Sequence, residues 1–333
     1  MRRRPELAAL LLAAGRGERL RPLTLELPKP LLPVAGRPLA AGSLDALVGA
    51  GCGRIAVNLH HRGEAIRAAL GASWRGVPLT WSDESRELLG TGGALVPLAD
   101  FFAGARAIVV VNGDSLCRWP IDRLLARHAR GDVAATLLVA RRVDPRGFGG
   151  GVAIDRGRVT AFRRGALAWA SAPTHRVFAG AAVLDPALLG RLPAGPSDIV
   201  AALYEPLVAG GATIAAIETA RAWHDLGTPA RYLEGALGFA LEGLAPRQSR
   251  IAPAAEIAPG ARVRRSMVEP GAAIAAGARI DDSLVLAGAR VGARCELRRV
   301  IVGPGVELGA DSVFGSRMLV RAADGALLET PID

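Results

Sequence analysis

Residues 11–22 are LLAAGRGERLRP, and the same stretch continues through PKP at 28–30 to GRP at 36–38. An apolar run from Leu7 to Ala13 leads into it and predicts a buried strand. A glycine-rich turn with arginines follows that strand. Glycine lets the backbone approach a ligand closely, and arginine binds phosphate. The stretch therefore predicts a phosphate-binding loop at the end of a strand.

Lys29 lies between two prolines. It is the only lysine in the chain, which otherwise uses arginine as its strongly basic residue. An ammonium is a compact point charge, whereas a guanidinium is a planar fork. A single lysine retained beside a phosphate-type loop indicates a role that arginine does not fill. We therefore treat Lys29 as a candidate functional residue.

The first part of the chain alternates strand-like and helix-like segments, which predicts an α/β fold with a mostly parallel, Rossmann-like sheet sandwiched by helices. The predicted strands are 7–13, 54–59, 78–82 and 107–111, and the predicted helices are 39–49, 62–70 and 93–102. From residue 134 the pattern becomes richer in strands, at 134–140, 152–154, 177–184 and 212–218, with helices at 196–210 and 230–241. Ligands of such sheets bind beyond the carboxyl ends of the strands.

Two aspartates are candidate ligands of a hard cation. Asp114 follows a strand directly, in Asn112-Gly113-Asp114, and Asp225 precedes a helix that Thr228 and Pro229 open as N-cap and first residue. Each carboxylate alone is typical of a turn or a cap. Beside a phosphate loop the pair also suits Mg²⁺, which proteins hold with one or two carboxylates and substrate phosphates.

The residue pattern changes after a predicted linker at 243–248. Apolar residues recur every six positions, with small residues and turn pairs between them: Ile251, Ile257, Val263; Ile274, Ile280, Leu286; Val285, Val291, Leu297; Val302, Leu308. The register slips between these sets. Such hexads predict a short parallel β-helix. We thus expect a catalytic domain over 1–242 and a hexapeptide-repeat domain over 249–333.

Composition bounds the function. The net charge is +10, yet the arginines are scattered and aromatic residues make up only 4%, which argues against a nucleic-acid partner. No apolar run has the length of a membrane span. Three arginines before an apolar run resemble a short signal peptide, but the run enters the glycine–arginine loop directly. Three distant cysteines form no CxxC pair, which favours a reducing cytoplasm.

The ordered motifs resemble those of the sugar-phosphate nucleotidyltransferases, the NDP-sugar pyrophosphorylases. The pattern AAGxGxRLxPLT followed by PKPLxPxxGxP is matched over 13–38. Further likeness lies in LGTGG at 89–93, NGD at 112–114, FAG at 178–180 and DLGTP at 225–229, so the resemblance spans about residues 6–240. A β-helix of this kind, left-handed in the family, is similar to that of long members such as mannose-1-phosphate guanylyltransferases.

The resemblance implies roles for individual residues. It implies that Arg19, Lys29 and Asp114 are catalytic, with Lys29 on the reacting phosphate, that Gly180 and Asp225 face the sugar, and that Asp114 and Asp225 bind Mg²⁺. The implied nucleotide-binding residues are Leu12, Ala13, Ala14, Gly15, Gly17, Arg19, Gly92 and Asn112. It also implies a nucleoside triphosphate and a sugar 1-phosphate as substrates, and a homo-oligomer.

The sequence departs from the family pattern at two places. Glu18 stands where a threonine or serine is usual, and the Glu-Lys-Pro that carries a sugar-phosphate lysine is missing, with Arg163 and Arg164 as candidate substitutes. The expected function is mannose-1-phosphate guanylyltransferase-like. Alternatives are a uridylyl- or thymidylyltransferase and a catalytically silent, regulatory nucleotide-sugar-binding subunit. An acyltransferase is disfavoured because residues 243–333 contain no histidine.

Overall fold

The computed structural model describes residues 6–141, 143, 145–148, 150–164, 175–220 and 222–333. Two compact units are present. The first comprises residues up to Gly15 together with Ala40–Trp223, and the second comprises Arg16–Leu39 together with His224–Asp333. The described helices are all too short or too polar to traverse a lipid bilayer.

Eight α-helices occur in the described residues: α1 (Leu23–Glu26), α2 (Leu39–Gly49), α3 (Gly63–Leu70), α4 (Gly90–Gly93), α5 (Ala99–Phe102), α6 (Ile121–His128), α7 (Glu205–Ala209) and α8 (Pro229–Ala240). The strands that precede the β-helix are β1 (Leu7–Leu12), β2 (Pro33–Val34), β3 (Arg37–Pro38), β4 (Cys52–Leu59), β5 (Ser73–Trp74), β6 (Val77–Asp83), β7 (Ala107–Asn112), β8 (Ser115–Cys117), β9 (Ala135–Ala140), β10 (Gly150–Asp155), β11 (Arg158–Arg164), β12 (His175–Leu184), β13 (Ile214–Thr219) and β14 (Trp223–Asp225).

A ten-stranded sheet forms the first unit, in the order β10-β11-β13-β9-β12-β7-β1-β4-β6-β5. Strand β1 lies inside it and pairs in parallel with both β4 and β7. Its residues Ala8 to Leu11 have no solvent exposure. A strand that is apolar at every position must be covered on both faces, as in parallel sheets with helical crossovers.

The predicted parallel arrangement holds for β7, β1, β4 and β6. The other half of the sheet is mixed, because β12 runs antiparallel to both β7 and β9, while β9 and β13 are parallel. The sequence shows strand character here but carries no signal for strand direction.

Two predicted helices are shorter than expected. Residues 93–102 do not form one helix, since a short 3₁₀ turn at Val96–Leu98 separates α4 from α5, and Pro97 removes a backbone donor there. In the predicted helix 196–210, helical turns begin only at Val200. The residues before it make backbone hydrogen bonds to another segment, and Asp198 caps the turn by accepting from the Ala201 amide at 3.0 Å.

The second unit contains the β-helix. Its strands are β15 (Arg250–Ile251), β16 (Glu256–Ile257), β17 (Arg262–Arg264), β18 (Met267–Val268), β19 (Ala273–Ile274), β20 (Arg279–Asp281), β21 (Leu284–Val285), β22 (Arg290–Val291), β23 (Glu296–Val302), β24 (Glu307–Leu308), β25 (Val313–Arg321) and β26 (Leu327–Pro331). Strands of successive coils pair in parallel, and antiparallel β26 follows the last of them.

The coil repeat explains the slip in the hexads. Arg250 pairs with Met267 and Met267 with Leu284, so each coil advances by 17 residues, one fewer than three hexads. The third side of every coil is therefore one residue shorter. The anchor after Ile280 is Val285, and the prediction of Leu286 in that series is wrong although Leu286 is buried.

A serine at the short corner compensates for this missing residue. The amide of Ser283 donates to Ser266 Oγ at 3.1 Å, and the amide of Val300 donates to Ser283 Oγ at 2.9 Å. Each hydroxyl in turn donates to a backbone carbonyl of its own coil. Buried backbone groups at the corner are thus satisfied from one coil to the next.

Candidate functional site

The first unit brings several predicted residues to one edge of its sheet. The last residue of β1, Leu12, is in register with Asn58 of β4 and with Asn112 of β7. These strands are parallel, so their carboxyl ends lie at the same edge. The loop that begins at Ala13 leaves the sheet there, as the sequence predicts.

Asn58 fixes the start of this loop. The amide of Ala13 donates to Asn58 Oδ1 at 2.7 Å, and Asn58 Nδ2 donates to Glu84 Oε1 at 2.8 Å. Asn58 and Glu84 are both 2% exposed. Gly15 follows on the exposed side, where an added Cβ would meet no described atom within 4 Å. The backbone after Ala13 is therefore anchored at its base and open beyond it.

Glu84 also holds the second glycine-rich segment, 89–93. Its other oxygen, Oε2, accepts from the amide of Leu89 at 2.9 Å. One buried carboxylate thus connects the loop after β1, through Asn58, with the segment that contains Gly92. Sequence reasoning identified both segments and missed the two residues that join them.

The glycines of the 89–93 segment are required by packing. An added Cβ on Gly92 would lie 2.8 Å from Ser197 Oγ, and one on Gly93 would lie 2.3 Å from the carbonyl oxygen of Gly195. The amide of Gly92 donates to the Ser197 carbonyl at 2.9 Å. Gly90 adopts a positive φ of 73°. The backbone around Gly195 and Ser197, in the same unit, therefore holds the 89–93 segment in place.

Asn112 and Gly180 are in contact. Strand β12 has an irregular register between Phe178 and Ala182, and Gly180 lies in it with a φ of 79°; an added Cβ would be 2.6 Å from Asn112 Nδ2. Trp223 Nε1 donates to the Ala179 carbonyl of this irregularity at 2.8 Å. Asp114 lies two residues after Asn112, and its Oδ1 accepts from Ser115 Oγ at 3.3 Å.

The second unit holds the rest of the signature. Gly17 adopts a left-handed conformation, with φ 63° and ψ 28°, at the start of the turn that carries Arg19. Thr24 Oγ1 donates to the Gly17 carbonyl at 2.7 Å and closes the loop. Glu18, the unusual residue of the signature, lies 3.7 Å from Arg16 in an exposed ion pair. Such surface pairs contribute little to stability.

Asp225 gathers three cations. Its Oδ1 accepts from Lys29 Nζ at 3.2 Å and its Oδ2 from Arg231 at 2.8 Å, while Arg19 lies 3.9 Å from Oδ2. The Lys29 side chain is 7% exposed and that of Asp225 is 16% exposed. A lysine buried to this degree needs an anionic partner. The cluster joins residues that are far apart in the sequence, and Arg231 is the member that sequence reasoning missed.

The carboxylates of Asp225 and Asp114 have the donor chemistry that a hard cation prefers. An ionised carboxylate offers about four lone-pair positions, and Asp225 uses two of them in the hydrogen bonds to Lys29 and Arg231. Asp114 likewise offers carboxylate oxygens of the kind that Mg²⁺ prefers. Among the described residues, no group of three or more His, Cys, Asp or Glu side chains forms a ready cage. A cation held by these side chains would therefore need further oxygen ligands, such as those of phosphates.

The predicted residues therefore fall into two groups, each within its own unit. Leu12, Ala13, Ala14, Gly15, Gly92, Asn112, Asp114 and Gly180 belong to the first; Gly17, Arg19, Lys29 and Asp225 belong to the second. Of the candidate substitutes for the missing lysine, Arg163 lies on β11 opposite Gly151. The side chain of Arg164 lies outside the described residues.

Comparison with known proteins gives two family matches. A model described as nucleotidyl transferase matches residues 8–240, and one described as GlmU-like, C-terminal hexapeptide matches residues 242–322. Nucleotidyltransferases of this kind generally use a divalent metal ion.

Individual relatives are similar over most of the chain. "Mannose-1-phosphate guanylyltransferase catalytic subunit beta" of Drosophila pseudoobscura pseudoobscura is 31% identical over 72% of this chain and 64% of its own length. "Mannose-1-phosphate guanylyltransferase" of Mycobacterium tuberculosis is 32% identical over 72% of this chain and 66% of its own. "Mannose-1-phosphate guanyltransferase" of Schizosaccharomyces pombe is 30% identical over 77% and 72%. The chain thus spans slightly less than two thirds of the first two relatives.

Proposed function

Because this chain belongs to the nucleotidyl transferase family, we propose that it makes a nucleotide sugar and pyrophosphate from a nucleoside triphosphate and a sugar 1-phosphate. The observation that carries the proposal is the cluster around Asp225. It places the only lysine of the chain, buried and charge-paired, beside the arginine of the glycine-rich signature. A silent nucleotide-sugar-binding subunit would have no need of this arrangement.

The reaction needs charge neutralisation more than proton transfer. An oxygen of the sugar 1-phosphate attacks the α-phosphorus of the triphosphate, and the bond from that phosphorus to the bridging oxygen of pyrophosphate breaks in line. The nucleophile is already ionised near neutral pH, so no general base is required. Positioning and electrostatic stabilisation then supply the rate enhancement.

Each charged residue has a role in this scheme. Lys29 binds the α-phosphate and offsets the charge that grows on it, and Arg19 stabilises the departing pyrophosphate. Asp225 keeps Lys29 in place before substrate arrives, and Arg231 holds the second oxygen of that carboxylate. The backbone of Leu12–Gly17, with Gly92 and Asn112, binds the nucleotide, and Gly180 lies on the sugar side.

Asp114 and Asp225 would hold a divalent ion, which we propose is Mg²⁺. When bound, it supplies further neutralisation of phosphate charge. Carboxylate oxygens and phosphates are its preferred ligands, which supports these two aspartates as its protein ligands.

The favoured substrates are GTP and mannose 1-phosphate, because the relatives reported above carry those specificities in their names. We also propose that the β-helix is left-handed, as the family resemblance implies. Cys52, Cys117 and Cys295 are buried as thiols and not as disulfides, which supports the proposed cytoplasmic setting. A homo-oligomer remains the proposed assembly, to be measured by light scattering.

A matrix of pyrophosphate-release assays tests the proposal. Each of GTP, UTP, dTTP, ATP and CTP is combined with mannose, glucose and N-acetylglucosamine 1-phosphates in the presence of Mg²⁺. We expect the highest kcat/KM with GTP and mannose 1-phosphate, and loss of that signal in a Lys29→Ala control prepared in parallel. Release with another pair would change the specificity. No release with any pair from folded protein would contradict the proposed activity.

A further inference from the structure

The segment that carries Lys29 ends in a small hairpin, and the β-helix holds that hairpin by its turn. Strands β2 and β3 pair in antiparallel fashion through Val34 and Arg37. The two residues between them, Ala35 and Gly36, have φ values of 54° and 81°. Positive φ at both positions is typical of the tightest hairpin turns. Their amides point away from the hairpin and need partners elsewhere.

Both amides find their partners on the second coil of the β-helix. The Gly36 amide donates to Glu269 Oε1 at 2.9 Å, and the Ala35 amide lies 3.2 Å from Met267 Sδ. Met267 is fully buried and Glu269 is 2% exposed. Removing a carboxylate from water is costly unless hydrogen bonds compensate. A buried carboxylate that accepts from this amide therefore holds the turn strongly.

Other hydrogen bonds connect the hairpin to helix α8 and its preceding residues to Lys29. The hydroxyl of Tyr232, on α8, donates to the Pro33 carbonyl at 2.9 Å. Helix α8 begins just after Asp225, and its N-cap, Thr228, accepts from the Arg231 amide as predicted. The amide of Leu32 donates to the Lys29 carbonyl at 3.1 Å. Lys29, and the helix that follows its partner Asp225, are thus both linked to the segment that forms the β2–β3 hairpin.

We infer that the second coil of the β-helix belongs to the phosphate-binding machinery, with Glu269 as the residue that positions the Lys29 segment. In this view the repeat domain does more than assemble subunits, because it fixes the catalytic lysine through the turn at Ala35 and Gly36. The inference rests on the proposed function for its catalytic consequence. Its structural part, the placement of Lys29, can be measured without any turnover.

The only lysine of the chain provides that measurement. Lys29 is 6% exposed, so an amine-reactive reagent should modify it slowly in the native protein. Mass spectrometry of the peptide that contains residue 29 separates this modification from that of the N-terminal amine. The labelling rate then reports how firmly the segment is held.

Three variants distinguish positioning from general effects. Glu269→Ala removes the acceptor, Glu269→Gln keeps an oxygen that can accept from Gly36, and Glu307→Ala removes an exposed carboxylate from another strand of the same β-helix. We expect Glu269→Ala to speed Lys29 labelling at least about threefold by releasing the turn locally. We expect it to lower kcat for the best substrate pair by about tenfold, because misplacement of a reacting group is costly. Glu269→Gln and Glu307→Ala should stay near the wild-type values.

The two failures can be told apart. Faster labelling in Glu269→Ala with no turnover in any protein, wild type included, would support the positioning role and contradict the proposed activity. Wild-type labelling and kcat in a folded Glu269→Ala variant would overturn the positioning role and leave the activity intact. If Glu269→Ala does not fold, Met267→Leu takes its place, since it removes the sulfur that the Ala35 amide contacts and keeps an apolar side chain on the same coil. Faster labelling in Met267→Leu would support the inference, and an unchanged rate would overturn it.

Discussion

The two units hold their candidate site residues by different forces. In the first unit, the glycine-rich segments are fixed by buried hydrogen bonds that run from the Ala13 amide through Asn58 to Glu84 and on to the Leu89 amide. In the second, Asp225 is surrounded by the cationic groups of Lys29 and its arginine neighbours. A hydrogen-bond network specifies shape, and leaving one member unpaired costs stability. A partly exposed charge cluster sets the local potential and is suited to act on substrate charge.

This difference predicts that substitutions in the charge cluster of the second unit lower kcat more than substitutions in the hydrogen-bond network of the first. Lys29→Ala should lower kcat by about a hundredfold or more, which corresponds to about 3 kcal/mol of barrier. The reason is that, in the proposed reaction, the ammonium offsets charge growing on the α-phosphate. Pyrophosphate release at saturating substrate measures the effect, and circular dichroism checks folding. Lys29→Arg is the matched control, and its activity should also fall because a planar guanidinium does not fit a site with 6% exposure.

Asp114 is the charged exception in the first unit, and it tests whether charge or location decides. Asp114→Ala should also lose about a hundredfold in rate, while stability changes little because the side chain is only partly buried. Asp114→Asn keeps the size and an acceptor for Ser115 but removes the charge. We expect it to be nearly as inactive as Asp114→Ala. Near-normal turnover in either folded variant, assayed across a Mg²⁺ titration, would contradict the metal assignment.

Substitutions in the hydrogen-bond network should lower the free energy of unfolding more clearly than they lower kcat. Glu84→Ala leaves the Leu89 amide and the Asn58 side chain without their buried acceptor, so unfolding in urea should show a loss of about 2–3 kcal/mol. The KM for the triphosphate should rise as both glycine-rich segments loosen. Glu84→Gln is an informative control. Glutamine has one acceptor oxygen where glutamate uses two, so it should recover only part of the loss. Full recovery would show that only one of the two bonds matters.

Much of this organisation could be predicted from the sequence, for reasons that differ by region. The strand β1 and helix α2 follow from continuous apolar runs and helical spacing, and both lie within a residue of their predicted bounds. The hexads predicted the β-helix, but the shorter third side became visible only through pairing between coils. Periodicity reports local structure well and long-range register poorly.

The site shows the same limit. Lys29 and Asp225 could be found because each lies in a distinctive motif, but their ion pair with each other became visible only in the structure. Glu84 and Glu269 could not, because a single glutamate among many becomes significant only when folding buries it beside a particular amide. Asn58 offered a weak signal, since it lies one residue before the end of β4, and Asn112 is the last residue of β7. Residues that position others leave little trace in one sequence.

The smallest expected effect is the pH dependence of stability at Glu269, whose carboxyl is both a buried hydrogen-bond acceptor and a titratable group. Burial raises the pKa of Glu269 above its ordinary value of 4.5, although the Gly36 amide opposes the shift. A carboxyl whose pKa is raised by folding favours the folded state below 4.5, and this contribution is lost as pH rises through the higher folded pKa. The neighbouring Tyr232 hydroxyl stays neutral over this range, because burial raises its pKa further. Glu269→Gln cannot ionise, so its stability relative to wild type should increase from pH 4 towards pH 7 in thermal unfolding. A flat profile for Glu269→Gln would mean that the carboxylate costs nothing where it holds the turn.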